Sequence, residues 1–207
     1  MAEAVSTLLV LGAGGHGRVV CDAALRAARW TSVSATDRDP ARCSGELLPG
    51  VTLAPPGPAL ATVAAVHLAI GNAQARQVEC QAVGAHRLVT VVHPDASVSP
   101  FALLAAGCFV AARAVVAPGA RLGIAVIVNH GAIVDHDVAV GDFSHIAPAA
   151  TLGGAASIGC RVLVGAGACV LPGISVCDDA TIGAGAVVDA DVVEPGVHAG
   201  VPARRIR

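Results

Sequence analysis

The chain contains no lysine and no tyrosine, and among its 207 residues there are one tryptophan and three phenylalanines. A core without large rings has to be assembled from Val, Ile, Leu, Ala and Gly, which favours many small, repeated contacts over packing around aromatic centres. All 13 basic residues are arginine, and the net charge of −2 leaves no electrostatic case for nucleic acid or an anionic membrane. CxxC pairs and other zinc-ligand spacings are missing, so the seven cysteines do not read as a metal site or a disulfide framework. Cys21, Cys80, Cys108 and Cys169 lie among apolar neighbours, as small core residues do in a reduced cytoplasm. A basic region is also lacking at the N-terminus, so no cleavable leader is expected. The apolar run Phe101 to Ala112 is too short to span a bilayer. The expectation is a soluble, cytoplasmic protein, long enough for one large domain or two small ones.

What the second half does contain is a period of six. Every sixth residue from Val92 to Val188 is aliphatic, seventeen positions without a break, running through Val98, Leu104, Val110, Val116 and Leu122 to Val176 and Ile182. Two residues before each of these the chain is mostly small, as at Ala114, Ala120, Ala132, Ser144 and Ala150. A hexad is neither the 3.6 period of a helix nor the alternation of a single strand. It fits short strands joined by tight turns, three to a triangular coil, with the aliphatic side chain inward and small residues at the corners. The result is a parallel β-helix of about six coils at the usual strand spacing of ~4.8 Å.

The first half reads as strand, glycine turn, helix in STLLVLGAGGHGRVVCDAALRAA, where Gly12, Gly14 and Gly17 match G-x-G-x-x-G and Asp37 lies twenty residues beyond Gly17. Such a turn presents bare amides and a helix N-terminus to phosphates, with the acid placed for a ribose. NAD is one occupant of that motif. Only roughly 90 residues precede the hexads, however, which is room for half of a full dinucleotide fold. A second glycine turn follows in AIGN, and Arg76 beyond it suits phosphates or a base. The bland alternative is that these glycines merely permit tight turns. The resulting division is residues 1–90 as a βαβ nucleotide-binding domain, 91–190 as the β-helix, and 191–207 as a closing segment.

Within the hexads, NHGAIVDHDVAVGDFSH places His130, His136 and His145 close together beside three aspartates. His136 and His130 both occupy non-core hexad positions, so the period alone does not choose between them. The order GAGGHG, AIGN, HP, then hexads containing NHGAIVDHDVAVGDFSHIAP, then AGVPAR, resembles the bacterial nucleotide-sugar N-acetyltransferases of the bacillosamine and perosamine type, together with sialic-acid O-acetyltransferase relatives. That resemblance implies a left-handed β-helix, a homotrimer with active sites between subunits, and acetyl-CoA and a nucleotide-linked amino sugar as substrates. It implies His136 as general base, with Asp137 raising its basicity where the bacillosamine enzymes have Glu, and Asp135 near enough to share the role. It implies His145, Gly154, Ala166 and Ala184 at acetyl-CoA, Gly154 as amide donor to the thioester oxygen, and His130 as structural or substrate-adjacent. For the sugar nucleotide it points to Gly14, Gly15, His16, Asp37, Arg38 and Gly71, with Arg38 standing where the family commonly has a second acid.

The chemistry wants these residue types. Acetyl transfer to an amine needs a base near neutrality, an oriented imidazole and an amide aimed at the developing oxyanion. Direct attack in a ternary complex requires neither a nucleophilic Ser or Cys nor a metal, and no metal is expected. Three rival classes are a sialic-acid-type O-acetyltransferase, a β-helix metalloenzyme of the γ-carbonic-anhydrase type with three histidines on zinc, and a non-catalytic β-helix scaffold. The six- and nine-residue histidine spacings do not resemble the ligand pattern of the second.

Overall fold

A computed structural model describes residues 7–207; the start of the chain, on which the expectation of no cleavable leader rests, lies outside the described residues. The chain forms two compact units, one ending at Pro94 and the other running from Asp95 to Arg207. No helix among the described residues is long and apolar enough to cross a membrane.

In the first unit, β1 (Thr7–Leu11) is followed by α1 (Gly15–Ala27), β2 (Ser32–Thr36), the antiparallel pair β3 (Glu46–Leu48) and β4 (Val51–Thr52), α2 (Pro56–Thr62), β5 (Ala65–Leu68) and α3 (Ala73–Val83). The sheet is parallel in the order β2-β1-β5, with β1 central and almost wholly buried. A strand buried on both faces needs the unbroken apolar run that Leu8 to Leu11 provides. Helix α1 turns Val20, Cys21, Ala23 and Ala24 inward, the spacing of one helical face. Asn72 caps α3, its Oδ1 accepting from the Ala75 amide at 2.9 Å.

The second unit is a parallel solenoid of two-residue strands eighteen positions apart, arranged in three sheets. One stacks Ser97–Val98, Val115–Val116, Ile133–Val134, Thr151–Leu152, Cys169–Val170 and Val187–Val188. The next stacks Leu103–Leu104, Arg121–Leu122, Ala139–Val140, Ser157–Ile158 and Ser175–Val176. The third contains Phe109–Val110, Ile127–Val128, His145–Ile146, Leu163–Val164 and Ala180–Ile182. From Val110 to Val188 every hexad aliphatic is at most 3% exposed. At the start of the series Val98 and Leu104 are half-buried, and Val92 is half-buried in the first unit, where Val91 is the core residue instead.

The corners differ in detail from the expected arrangement. The small residues, such as Ala114, Ala132 and Ala150, are fully buried inside each corner. The turn itself is made one residue earlier by a left-handed backbone, at Arg113, Gly119, Ala125, Gly131, Asp137, Phe143, Ala149, Ala155, Arg161, Gly167, Gly173, Asp179 and Gly185. The solenoid closes on Gly196–Ala199, parallel to Ala180–Ile182, and on Arg204–Arg205, which runs antiparallel and ends the stack.

Candidate functional site

His136 and Asp137 form the turn after the strand Ile133–Val134. Asp137 takes the left-handed position with φ 61°, a conformation that aspartate tolerates better than most side chains. From there its Oδ2 accepts from His136 Nδ1 at 2.9 Å, so the shorter acid does reach its own neighbour's ring. Asp135 Oδ1 accepts the His136 amide at 2.7 Å. Hydrogen bonding to Asp137 and the charge of Asp135 hold the His136 imidazole above its ordinary pKa. Because Nδ1 faces a carboxylate it carries the ring proton, and Nε2 remains as the basic atom. Both side chains are well exposed, at 60% and 68%.

One coil further on lies Gly154, whose missing side chain is filled by that ring: a Cβ there would stand 2.4 Å from His136 Nε2 and 2.6 Å from Cε1. The Gly154 amide has a second property. The ladder uses the N–H of Gly153 and of Ala155 but not that of Gly154, and the same is true of Ala166 and Ala184. All three share a hexad position at which the coil has no use for a donor. Proline fills it at 118, 148 and 172. Elsewhere a carboxylate or amide oxygen caps it, from Asp142 to Ile124, Asn129 to His130, Asp135 to His136 and Asp178 to Cys160. Gly154 is buried, and an amide that the ladder leaves unpaired, on a residue beside a basic imidazole, is a donor that a developing oxyanion can use.

The structure brings His136, Asp137 and Gly154 together at one corner. Ala166 and Ala184 are stacked at the preceding corner, Gly185 donating to the Ala166 carbonyl, and exposed His130 belongs to the same column. His145 begins a strand of the third sheet. Asn129, which sequence reasoning did not single out, holds it: Oδ1 accepts the His130 amide at 2.9 Å, which turns Nδ2 toward His145 Nε2 at 3.1 Å.

In the first unit, Gly14, Gly15, His16, Asp37, Arg38 and Gly71 all line one cavity of about 500 Å³ over the ends of β1 and β5. Its glycines divide into two kinds. At Gly12 and Gly17 a Cβ would meet backbone carbonyls at 2.5 Å and 2.0 Å, so these two serve close packing. At Gly14, Gly15 and Gly71 it would meet nothing within 4 Å, and the open space is the cavity. Helix α1 starts at this cavity with no side-chain cap and no acid in its first turn, which leaves its N-terminal amides and the positive end of its dipole without an anionic partner from the first turn. Asp37 braces the glycine turn, accepting from the Ala13 and Asp39 amides at 2.9 and 3.0 Å. Arg38 is paired through Nε and Nη2 with Glu79 of α3. Arg76 does not offer itself to phosphates or a base: it is fully buried, and Nη1 donates to the carbonyls of Ile70 and Gly71, fixing the second glycine turn from beneath. Among the described residues no group of three or more His, Cys, Asp or Glu side chains is placed to hold a metal ion.

Residues 7–82 match the family described as PglD N-terminal domain, and residues 155–190 match the hexapeptide repeat of succinyl-transferase. The acetyltransferase domain of PglB from Neisseria gonorrhoeae, solved in complex with acetyl coenzyme A, is 34% identical over 97% of this chain and 98% of its own, with a TM-score of 0.89. PerB from Caulobacter crescentus, in complex with CoA and GDP-perosamine, is 33% identical over 97% of both chains, with a TM-score of 0.88. A histidine-to-alanine variant of GDP-perosamine N-acetyl transferase from the same organism, also in complex with CoA and GDP-perosamine, is 32% identical with a TM-score of 0.89. Superposition at this level includes the hand of the coil.

Proposed function

This chain belongs to the hexapeptide-repeat sugar N-acetyltransferases that include the PglB acetyltransferase domain and PerB, and from that premise we propose that it moves an acetyl group from acetyl-CoA to the amine of a nucleotide-linked 4-amino-4,6-dideoxy sugar. The observation that carries the reading is the corner where His136 Nε2 occupies the side-chain space of Gly154, a residue whose amide the ladder leaves unpaired, while Nδ1 is held by Asp137. The acceptor amine attacks the thioester carbon and its proton passes to His136 Nε2. The carbonyl electrons are held as an oxyanion by the Gly154 N–H until the tetrahedral adduct collapses and expels the CoA thiolate, which takes the proton from the imidazolium. Asp137 keeps the ring in one tautomer and stabilises its charged form.

The free amides of Ala166 and Ala184 suit the carbonyls of a pantetheine arm, and His145, held by Asn129, contacts the same substrate. The open glycines and α1 N-terminus of the cavity take the nucleotide diphosphate, with Asp37 and Arg38 at its rim. The working form is a homotrimer with each site shared by two chains. In one chain the Ala166 and His136 columns are separated by a whole face of the coil, six residues and at most about 20 Å.

The test is CoA release from acetyl-CoA with UDP-, dTDP- and GDP-linked 4-amino-4,6-dideoxy sugars, with products weighed by mass spectrometry. Acceptor-dependent release with a gain of about 42 daltons, the acetyl increment of a direct transfer, is expected for one nucleotide and is expected to vanish in His136→Ala. Release in that variant at the wild-type rate would remove His136 as base. Binding of acetyl-CoA with silence across the panel would discard the acceptor.

A further inference from the structure

We infer that Gly119 is a positioning residue for the transfer reaction: the space of its missing side chain seats the Asp137 carboxylate in the orientation that holds His136. This inference rests on the reading of His136 as base. Gly119 lies one coil before Asp137, and a Cβ on it would stand 2.3 Å from Asp137 Oδ1 and 3.3 Å from Cγ. The other oxygen, Oδ2, is the one bonded to His136 Nδ1. A methyl group at position 119 therefore rotates the carboxylate away from the ring or pushes the turn outward.

Backbone conformation does not account for this glycine. Gly119 has φ +77°, yet the equivalent turn is made by alanine at Ala125, Ala149 and Ala155, with φ of 51°, 58° and 57°. The fold thus accepts an alanine at this turn position. Gly131, Gly167, Gly173 and Gly185 share the conformation, and a Cβ on any of them meets nothing within 4 Å. Among these turn glycines it is Gly119 whose Cβ would collide with a carboxylate. With Gly154 making room for the imidazole from the following coil, the dyad is seated between two glycines, one per neighbouring coil.

The ring has few other charges facing it. The preceding coil brings Pro118 and Gly119 and the following one Gly153, Gly154 and Ala155, all uncharged, so Asp135 and Asp137 of its own turn are the groups that act on it. Displacing one of them is readable in the protein without substrate.

The experiment compares Gly119→Ala with Gly131→Ala, which imposes a similar backbone strain in open space. The His136 titration midpoint is followed by NMR in the free enzyme, and kcat and KM are measured for acetyl-CoA. In Gly119→Ala the midpoint is expected to fall toward that of Asp137→Gly, with kcat reduced about tenfold or more and KM for acetyl-CoA unchanged. Gly131→Ala is expected to match the wild type in all three. The double variant Gly119→Ala with Asp137→Gly is expected to titrate as Asp137→Gly alone, because no carboxylate is left to displace. An unmoved midpoint in Gly119→Ala, or an equal shift in Gly131→Ala, overturns the inference. A shifted midpoint with an unchanged rate upholds the seating of Asp137 and overturns His136 as base.

Discussion

At the scale of single residues the dyad has a definite pH signature. The base proposed for the transfer, His136, can take a proton only when neutral, and the Asp137 hydrogen bond together with the Asp135 charge holds its pKa above the ordinary value of 6.5. The rising limb of kcat/KM against pH is therefore expected to lie above that value in the wild type. In Asp137→Asn the limb is expected to move to lower pH, since the neutral form is reached sooner, while the plateau falls because the ring is a weaker base and its charged form is unsupported. A pH–rate profile checks both. A limb that stays in place with a lowered plateau would mean that Asp137 acts on substrate and not through His136. The presence of this pair was legible in the sequence, but its seating was not. Nothing in D-H-D says that the second aspartate occupies a left-handed turn, which is where a short acid reaches its own neighbour's Nδ1. Arg76 shows the reverse failure: a lone arginine after a glycine turn reads as a phosphate ligand until its burial is known.

At the scale of elements, the solenoid was readable because one position in six points inward and tolerates only aliphatic residues. The unused amides were readable too, through a signal that the hexad alone does not display. Proline at positions 118, 148 and 172 marks a position whose N–H the ladder never needs, and Gly154, Ala166 and Ala184 lie at that same position. Strand β5 carries a feature that alternation could not reveal, a fully buried histidine. His67 Nδ1 donates to the Val89 carbonyl at 2.9 Å, and burial, with Arg76 adding to it, lowers its pKa to about 4. Between the ordinary value of 6.5 and about 4 the unfolded chain binds a proton that the native strand refuses. Stability is then complete above the unfolded pKa and falls as pH drops through that window, by roughly 1.4 kcal/mol per unit and ~3 kcal/mol in all. Denaturant melts between pH 7 and pH 4.5 are expected to show that slope in the wild type and a shallower one in His67→Gln. Parallel slopes would mean that other groups set the acid limit.

At the scale of the whole molecule, the question is where one site finds all its parts. A triangular coil cannot bring two of its own corners together, so the column of Ala166 and Ala184 and the column of His136 and Gly154 stay a face apart in any one chain. Closed rotational symmetry removes the difficulty, because each chain can present one corner to each neighbour. Mixed assemblies decide the matter. His136→Ala removes the proposed base, and Ala166→Trp blocks the amide at the other column, so neither variant alone is expected to turn over. Co-expressed in equal amounts with different tags and purified through both, the two are expected to recover activity if a site takes His136 from one chain and Ala166 from its neighbour. Every trimer that carries both tags has one interface in three, about a third, that unites the two intact halves, and a rate near that fraction of the wild type is the expected result. No chain in the mixture carries both intact residues, so recovery cannot come from sites contained in a single subunit. Mixed particles of trimer mass that stay inactive would place each site within one chain, and particles of monomer mass would remove the shared site altogether.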